Sequence, residues 1–293
     1  MNSKFKGLGV AMVTPFTTSG DVDYPALERL TNYLIDGGVN YLVVMGTTGE
    51  NPTLDEAEQR QILDTVIATN NKRLPIVFGM GGNYTKALCN KIEKYNLNGV
   101  DALLSASPYY NKPIQNGIYA HYKAVSESTD LPIIIYNVPG RTGSNISVAT
   151  TLKLAEIKNI IATKEASGSL NQCMEIIQNK PADFMVISGD DGYTLPYISC
   201  GMEGVISVIG NALPTPFSKM VSLALQGDYI NARTIHYSLL DLMNTIFEDG
   251  SPGGIKVILE KLGVCGPTLR APLYAPSEAV KAKLLAQLAD FKF

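Results

Sequence analysis

Eight short apolar runs punctuate the chain: GVAMV (9–13), YLVVMG (41–46), PIVFGM (75–80), DALLSA (101–106), PIIIYNV (132–138), IIATKE (160–165), FMVISG (184–189) and GVISVIG (204–210). They are nearly continuous rather than alternating, the pattern of parallel strands covered on both faces. Between them apolar positions recur at helical spacing. DYPALERLTNYLIDGG (23–38) offers Asp23 as N-cap, Pro25 in the first turn, Leu27, Leu30 and Leu34 on one face, and Gly37–Gly38 as the stop. TLDEAEQRQILDTVIATN (53–70) opens with a capping box from Thr53 to Glu56, and its expected inner stripe is Ala57, Ile62, Leu63, Val66 and Ile67.

Strand runs at this spacing, alternating with helices, predict an α/β fold of the (β/α)8 TIM-barrel type, which takes about 250 residues. The eighth run ends near residue 210, and a tail with at least two more helices follows, among them NARTIHYSLLDLMNTIFED (231–249). The expected organisation is a barrel over 1–225 with a C-terminal helical extension over 226–293 packed on it. A doubly wound open sheet would call for a glycine fingerprint after the first strand, and VTPFTTSGD does not supply one.

Composition narrows the chemistry. With 24 basic and 27 acidic residues the net charge is −3, and no basic block suggests nucleic acid or an anionic membrane as a partner. The apolar run near the N-terminus is short and broken by Thr14 and Pro15, so it reads as a first strand rather than a leader. No stretch approaches the roughly 18–20 apolar residues of a membrane span, which points to the cytoplasm. Cys89, Cys173, Cys200 and Cys265 are widely spaced and predict free thiols, with neither a zinc site nor a disulfide framework. The two histidines, His121 and His236, fall in helix-like segments, so a histidine triad or a histidine-rich metal site is hard to build. Acid–base work is left to Lys, Tyr, Thr, Asp and Glu.

In such barrels the chemistry sits where strands end, on the βα loops. Lys164 occupies that place in the sixth run. Burial lowers a lysine's pKa from near 10.4, and a neutral amine can attack a ketone to form a Schiff base. The alternative is a lysine that snorkels to solvent or pairs with Glu165. GTTGE (46–50) sets Thr47 and Thr48 at a strand-to-helix turn, where they could cradle a small carboxylate or merely cap the next helix. Tyr136 ends the fifth run, as a proton shuttle or as an interior tyrosine. PGRTG puts Arg141 on a tight loop, as a carboxylate fork or a surface arginine. SPYYNKP carries Tyr109 and Tyr110, residues that favour interfaces. SGDDG (188–192) could hold a cation through Asp190 and Asp191, but reads better as a turn with helix caps.

Taken in order, from VAMVTPF through TLRAPL (268–273), the chain resembles the pyruvate-dependent class I aldolase and N-acetylneuraminate lyase family over essentially its whole length. It looks most like the synthase branch, because neuraminate lyases typically carry Ser-Thr in place of Thr47–Thr48 and lack the arginine matching Arg141. The resemblance implies that Lys164 forms an imine with pyruvate. It implies a proton relay of Thr47, Tyr136 and Tyr110, with Tyr110 reaching across a dimer interface. Thr48, with the backbone at Thr47, would bind the pyruvate carboxylate, and Arg141 the carboxylate of L-aspartate 4-semialdehyde. Gly189 and Ile206 would line the pocket through main-chain contacts. The implied product is 4-hydroxy-tetrahydrodipicolinate, made without metal or redox cofactor by a homo-oligomer, a dimer of dimers. In lysine-inhibited relatives a glutamate matches Ala87 and often a histidine matches Glu56, so weak or absent feedback by lysine is expected here, although Asn83 and Tyr109 are retained. The rival readings are an aldolase for a 2-keto-3-deoxy sugar acid or N-acetylneuraminate, and a keto-acid sensor that no longer turns over.

Overall fold

The computed structural model describes residues 2–291. The apolar runs become strands β1 (Gly7–Ala11), β2 (Tyr41–Val44), β3 (Ile76–Gly79), β4 (Ala102–Ala106), β5 (Ile133–Asn137), β6 (Ile160–Glu165), β7 (Met185–Ser188) and β8 (Gly204–Ser207). Each pairs in parallel with the next, and β8 returns to β1 to close a barrel. The surrounding helices are α1 (Tyr24–Asp36), α2 (Glu56–Asn70), α3 (Thr85–Lys94), α4 (Gln115–Glu127), the one-turn α5 (Pro139–Thr142), α6 (Val148–Ala155), α7 (Leu170–Asn179), α8 (Thr194–Ser199) and α9 (Pro214–Leu225). Three more follow: α10 (Tyr229–Thr245), α11 (Gly253–Lys261) and α12 (Glu278–Asp290).

Strand alternation sorts each run into two apolar layers. Val43, Val77, Leu104, Ile134, Ala162, Ile187 and Ile206 fill the barrel interior. Leu42, Val44, Phe78, Leu103, Ile133, Ile135, Val186 and Val205 face outward into the core shared with the helices. Because both faces are buried, the runs read as continuous rather than alternating. α10, α11 and α12 contribute Leu239, Leu242, Ile255, Ile258 and Leu284 to that outer core, so the tail shares its apolar layer with the barrel helices. No helix among the described residues is long and apolar enough to cross a membrane.

Several boundaries differ from the sequence reading. β1 begins and ends two residues earlier than expected; Met12 N still donates to Val43 O of β2 at 3.0 Å, and from Val13 on the backbone turns to a side chain. Val13 N donates to Asn211 Oδ1 at 3.1 Å, and Asn211 Nδ2 donates to Ala11 O at 2.8 Å. β8 stops at Ser207 and passes into a short turn, Ile209–Asn211, that presents this asparagine. α1 begins as expected, with Asp23 Oδ1 accepting from Ala26 N at 2.9 Å. α2 does not: its capping box joins Asp55 and Glu58, with bonds of 2.8 and 3.1 Å, while the Thr53 hydroxyl donates to Glu50 O in the turn before it. Ile62, Leu63, Val66 and Asn70 make the buried face, Ile67 is half-buried and Ala57 is exposed.

Candidate active site

The register sets the centre of the site. Tyr136 of β5 stands beside Lys164 of β6, which stands beside Ile187 of β7. Both chemistry-bearing residues follow the inward parity of Ile134 and Ala162, one step nearer the C-terminal mouth. Lys164 is 6% exposed, and its Nζ lies 4.2 Å from the centre of the Tyr136 ring. It forms no ion pair among the described residues.

Glu165, one residue on, faces outward as alternation requires. Its carboxylate accepts from Asn137 Nδ2 at 3.0 and 3.1 Å and from Ser167 N at 2.9 Å. Burial raises its pKa against these bonds. Lys164 is therefore neither snorkelled nor paired with its neighbour. Glu165 and Asn137 instead tie the ends of β6 and β5 together, and Asn137 Oδ1 also accepts from Ile146 N at 2.9 Å, anchoring the loop that carries Arg141.

Gly189, just past β7, provides the lysine's room. A β-carbon there would lie 2.7 Å from Ala166 Cβ, closer than side chains pack, and 3.1 Å from Lys164 Cε, tight enough that the lysine must shift. Thr47 and Thr48 sit in a single helical turn, Thr47–Gly49, flanked by Met45 (φ 61°) and Glu50 (φ 55°). Left-handed backbone at a non-glycine residue costs about 1–3 kcal/mol, so the surroundings must hold it. One restraint is the Thr14 hydroxyl, which donates to Gly49 O at 2.6 Å. Arg141 rides on α5, whose end is closed by Gly143 at φ 75°. It is exposed and makes no ion pair among the described residues.

These side chains converge. A cavity of about 590 Å³ is lined by Thr47, Thr48, Tyr136, Arg141, Lys164 and Gly189. Ile206 does not line it, lying instead in the interior apolar cluster that includes Tyr136. Tyr110 does not line it either. It is 89% exposed at φ 68°, on a loop fixed by paired bonds between Asn83 and the Tyr109 backbone at 2.7 and 2.8 Å. A single chain thus assembles six of the eight expected residues.

The cavity also has walls that the sequence reading does not assign. α10 supplies Leu240, Met243 and Asn244, and Phe247 follows it. No local motif marks these positions, because only tertiary packing brings the tail over the barrel mouth. Asp190 and Asp191 line the cavity as well, and SGDDG is the signal for them. They act as loop staples: Asp191 Oδ2 accepts from Val208 N at 3.0 Å and Ile209 N at 2.8 Å, and Asp190 Oδ1 accepts from Tyr193 N at 3.3 Å. Burial raises both carboxyls, Asp191 to about 6. No group of three or more metal-ligating side chains occurs among the described residues. His121 and His236 are buried in α4 and α10, and burial holds His121 down to about 4. Chemically, the site offers one sheltered amine beside a phenol and hydroxyls, with a guanidinium at the mouth.

Known proteins resemble the chain along nearly its whole length. The sequence profile of the Dihydrodipicolinate synthetase family matches residues 4–290. The 4-hydroxy-tetrahydrodipicolinate synthase of Parabacteroides distasonis is 54% identical, with 92% of this chain and 91% of that protein covered. That of Phocaeicola vulgatus is 50% identical over 100% of this chain and 99% of its own. Among solved structures, the chloride-inhibited dihydrodipicolinate synthase from Acinetobacter baumannii complexed with pyruvate superposes with a TM-score of 0.94 at 38% identity, covering 97% of this chain and 98% of that one. A barrel of this topology, matched from end to end at such identities, belongs to the Dihydrodipicolinate synthetase family.

Proposed function

We propose that the chain condenses pyruvate with L-aspartate 4-semialdehyde through an imine on Lys164, giving 4-hydroxy-tetrahydrodipicolinate. The observation that carries this reading is a buried lysine without an ion-pair partner among the described residues, opening beside Tyr136 into a cavity it shares with Thr47, Thr48 and Arg141. Lys164 Nζ attacks the ketone carbon of pyruvate, and the carbinolamine loses water to become the imine. The iminium draws electrons from the adjacent methyl, which gives up a proton and becomes the nucleophilic carbon of an enamine. That carbon attacks the aldehyde, and the new alkoxide takes a proton. The substrate's own amine then closes on the imine carbon and displaces Lys164, so the enzyme is regenerated and one water is released overall.

Tyr136 and Thr47 move the protons, with Tyr110 of a second copy completing the relay. Thr48 and the turn's backbone N–H groups hold the pyruvate carboxylate, an anion at a site of converging donors. Arg141 meets the second carboxylate with its planar fork. Gly189 keeps the lysine's channel open, and Ile206 supports the interior layer on which Tyr136 rests. The assembly we propose is a dimer of dimers. The chain's four cysteines are all free, as suits the reducing cytoplasm, where we place the enzyme.

Borohydride reduction in the presence of pyruvate, read by mass spectrometry, is the direct test. The wild-type chain is expected to gain the reduced pyruvate adduct at Lys164, and Lys164→Ala none. An unmodified wild-type chain would overturn the reading. Turnover of aspartate semialdehyde against 2-keto-3-deoxy sugar acids and N-acetylneuraminate then identifies the second substrate. Arg141→Ala is expected to raise KM for the semialdehyde by about 10–100-fold, the worth of a charge-assisted hydrogen bond.

A further inference from the structure

Three segments far apart in the sequence meet at a point the reaction steps above do not use. They contribute Phe16, Glu50, and Lys256 with Arg270. Glu50 Oε1 accepts from Lys256 Nζ at 2.6 Å, and Oε2 accepts from Arg270 N at 3.1 Å. Lys256 also donates to Thr268 O at 2.8 Å. Both charged side chains of the Glu50–Lys256 pair are 0% exposed. The Phe16 ring lies against both cations, 4.4 Å from Lys256 Nζ and 4.6 Å from Arg270 Cζ. Arg270 forks onto the Glu58 carboxylate at 2.5 and 2.6 Å and donates to Thr53 O at 2.9 Å. The segment from α11 to Arg270 thereby grips residues 50–58 from outside the barrel.

A buried ion pair is a poor device for stability alone, since apolar residues of equal volume often serve as well or better. Burial indeed pulls Lys256 below the ordinary lysine value, and the Glu50 charge opposes that. What the pair adds is direction: its bonds fix one carboxylate in one orientation. That carboxylate belongs to the left-handed residue that ends the Thr47–Gly49 turn. Fixing Glu50 therefore fixes the backbone two residues from Thr48 and three from Thr47, both of which line the catalytic cavity.

We infer that Glu50 and Lys256 are a positioning pair that aims the Thr47–Thr48 turn at the pyruvate carboxylate, so that α11 sets pyruvate affinity without touching substrate. This rests on the reading that the turn holds pyruvate. Misplacing a positioning group by about 1 Å can cost on the order of 100-fold. Loss of the pair should thus fall on pyruvate far more than on the second substrate, whose carboxylate is assigned to Arg141 on the other side of the mouth.

The test uses the full chain and three variants: Lys256→Met, Glu50→Gln and the double Glu50→Gln/Lys256→Met. The readouts are the pyruvate concentration giving half-maximal borohydride trapping at Lys164, and KM for the semialdehyde at saturating pyruvate. In a folded single variant the half-trapping concentration is expected to rise about tenfold or more, with KM for the semialdehyde within about twofold of wild type. The double variant, which leaves no charge buried alone, is expected to fall between. Wild-type pyruvate dependence in any folded variant, or a parallel rise for both substrates, would overturn the inference. So would failure of all three to fold, which assigns the pair to folding alone. Trapping in the wild type is the internal control: its absence would fail the pyruvate reading itself and not the positioning role.

Discussion

At the scale of single residues, the site is governed by what has been kept out of it. Gly189 leaves the space that the Lys164 side chain crosses, and a methyl there would lie 3.1 Å from Cε. Gly189→Ala is expected to fold and to slow imine formation by about 100-fold at saturating pyruvate, because the amine is displaced rather than removed. Stopped-flow or quenched borohydride trapping measures this, and wild-type trapping rates would remove the steric role. Asp191 shows the same economy in charge. Its pKa is raised to about 6 by burial, from an ordinary value near 3.8. A carboxyl raised in the fold favours the folded state when protonated, so its contribution is whole below about pH 4 and lost as pH climbs through 6. Asp191→Asn keeps an oxygen to accept from Val208 N and Ile209 N but never ionises. Relative to wild type the variant should gain up to about 3 kcal/mol between pH 4 and pH 7, at 1.4 kcal/mol per pKa unit. Urea unfolding at the two pH values tests it, and a variant-minus-wild-type difference that does not change with pH would refute it.

At the scale of elements, most of the barrel is legible because parallel strands print their burial directly into the sequence. A lysine and a tyrosine at the ends of such runs stand out for the same reason, and register then makes Tyr136 and Lys164 neighbours without further information. The start of α2 is ambiguous in the sequence because two overlapping patterns, Thr53–Glu56 and Asp55–Glu58, both satisfy a capping box. The turn Asn51–Thr53 takes up the first, leaving Asp55 to cap the helix. The Glu50–Lys256 pair is illegible in principle: its partners are 206 positions apart, and no local window holds both. The facing surfaces of α2 and α3 carry a further consequence. Ala87 is exposed on α3, and Glu56 is committed to Lys91 at 3.1 Å. A free lysine arriving there would meet no acidic group at Ala87 to take its ammonium, and Glu56 already holds a cation. Initial rates are therefore expected to be insensitive to sub-millimolar lysine, and strong inhibition in that range would contradict the assignment. Ala87→Glu should introduce sensitivity to lysine, read from the same initial rates.

At the scale of the whole molecule, the residue that a single chain does not employ is Tyr110. A phenol that is 89% exposed, held left-handed on a loop pinned by Asn83 and by its own N–H to Thr142 O at 3.2 Å, is placed with more care than a solvated side chain needs. Tyr109 and Ile114 are exposed nearby in sequence, and exposed Tyr84 follows the Asn83 that bonds this loop, an apolar group of the kind that a second copy covers. If Tyr110 serves the neighbouring subunit, its hydroxyl and Lys164 of the same chain belong to different sites. Tyr110→Phe and Lys164→Ala should then each be crippled alone yet complement one another when mixed. In a two-fold dimer the mixed species has one site with both defects and one with neither, because the contact is reciprocal. Equal mixing makes half of the dimers mixed, so about a quarter of the wild-type sites should be restored once subunits have exchanged. Unfolding and refolding the two variants together ensures that exchange, and separate refolding before mixing provides the control. Activity near a quarter of wild type, appearing only on joint refolding, is the expected result. Activity no greater than the sum of the separate variants would mean that Tyr110 acts within its own chain or not at all, and the second copy would lose its part in the chemistry.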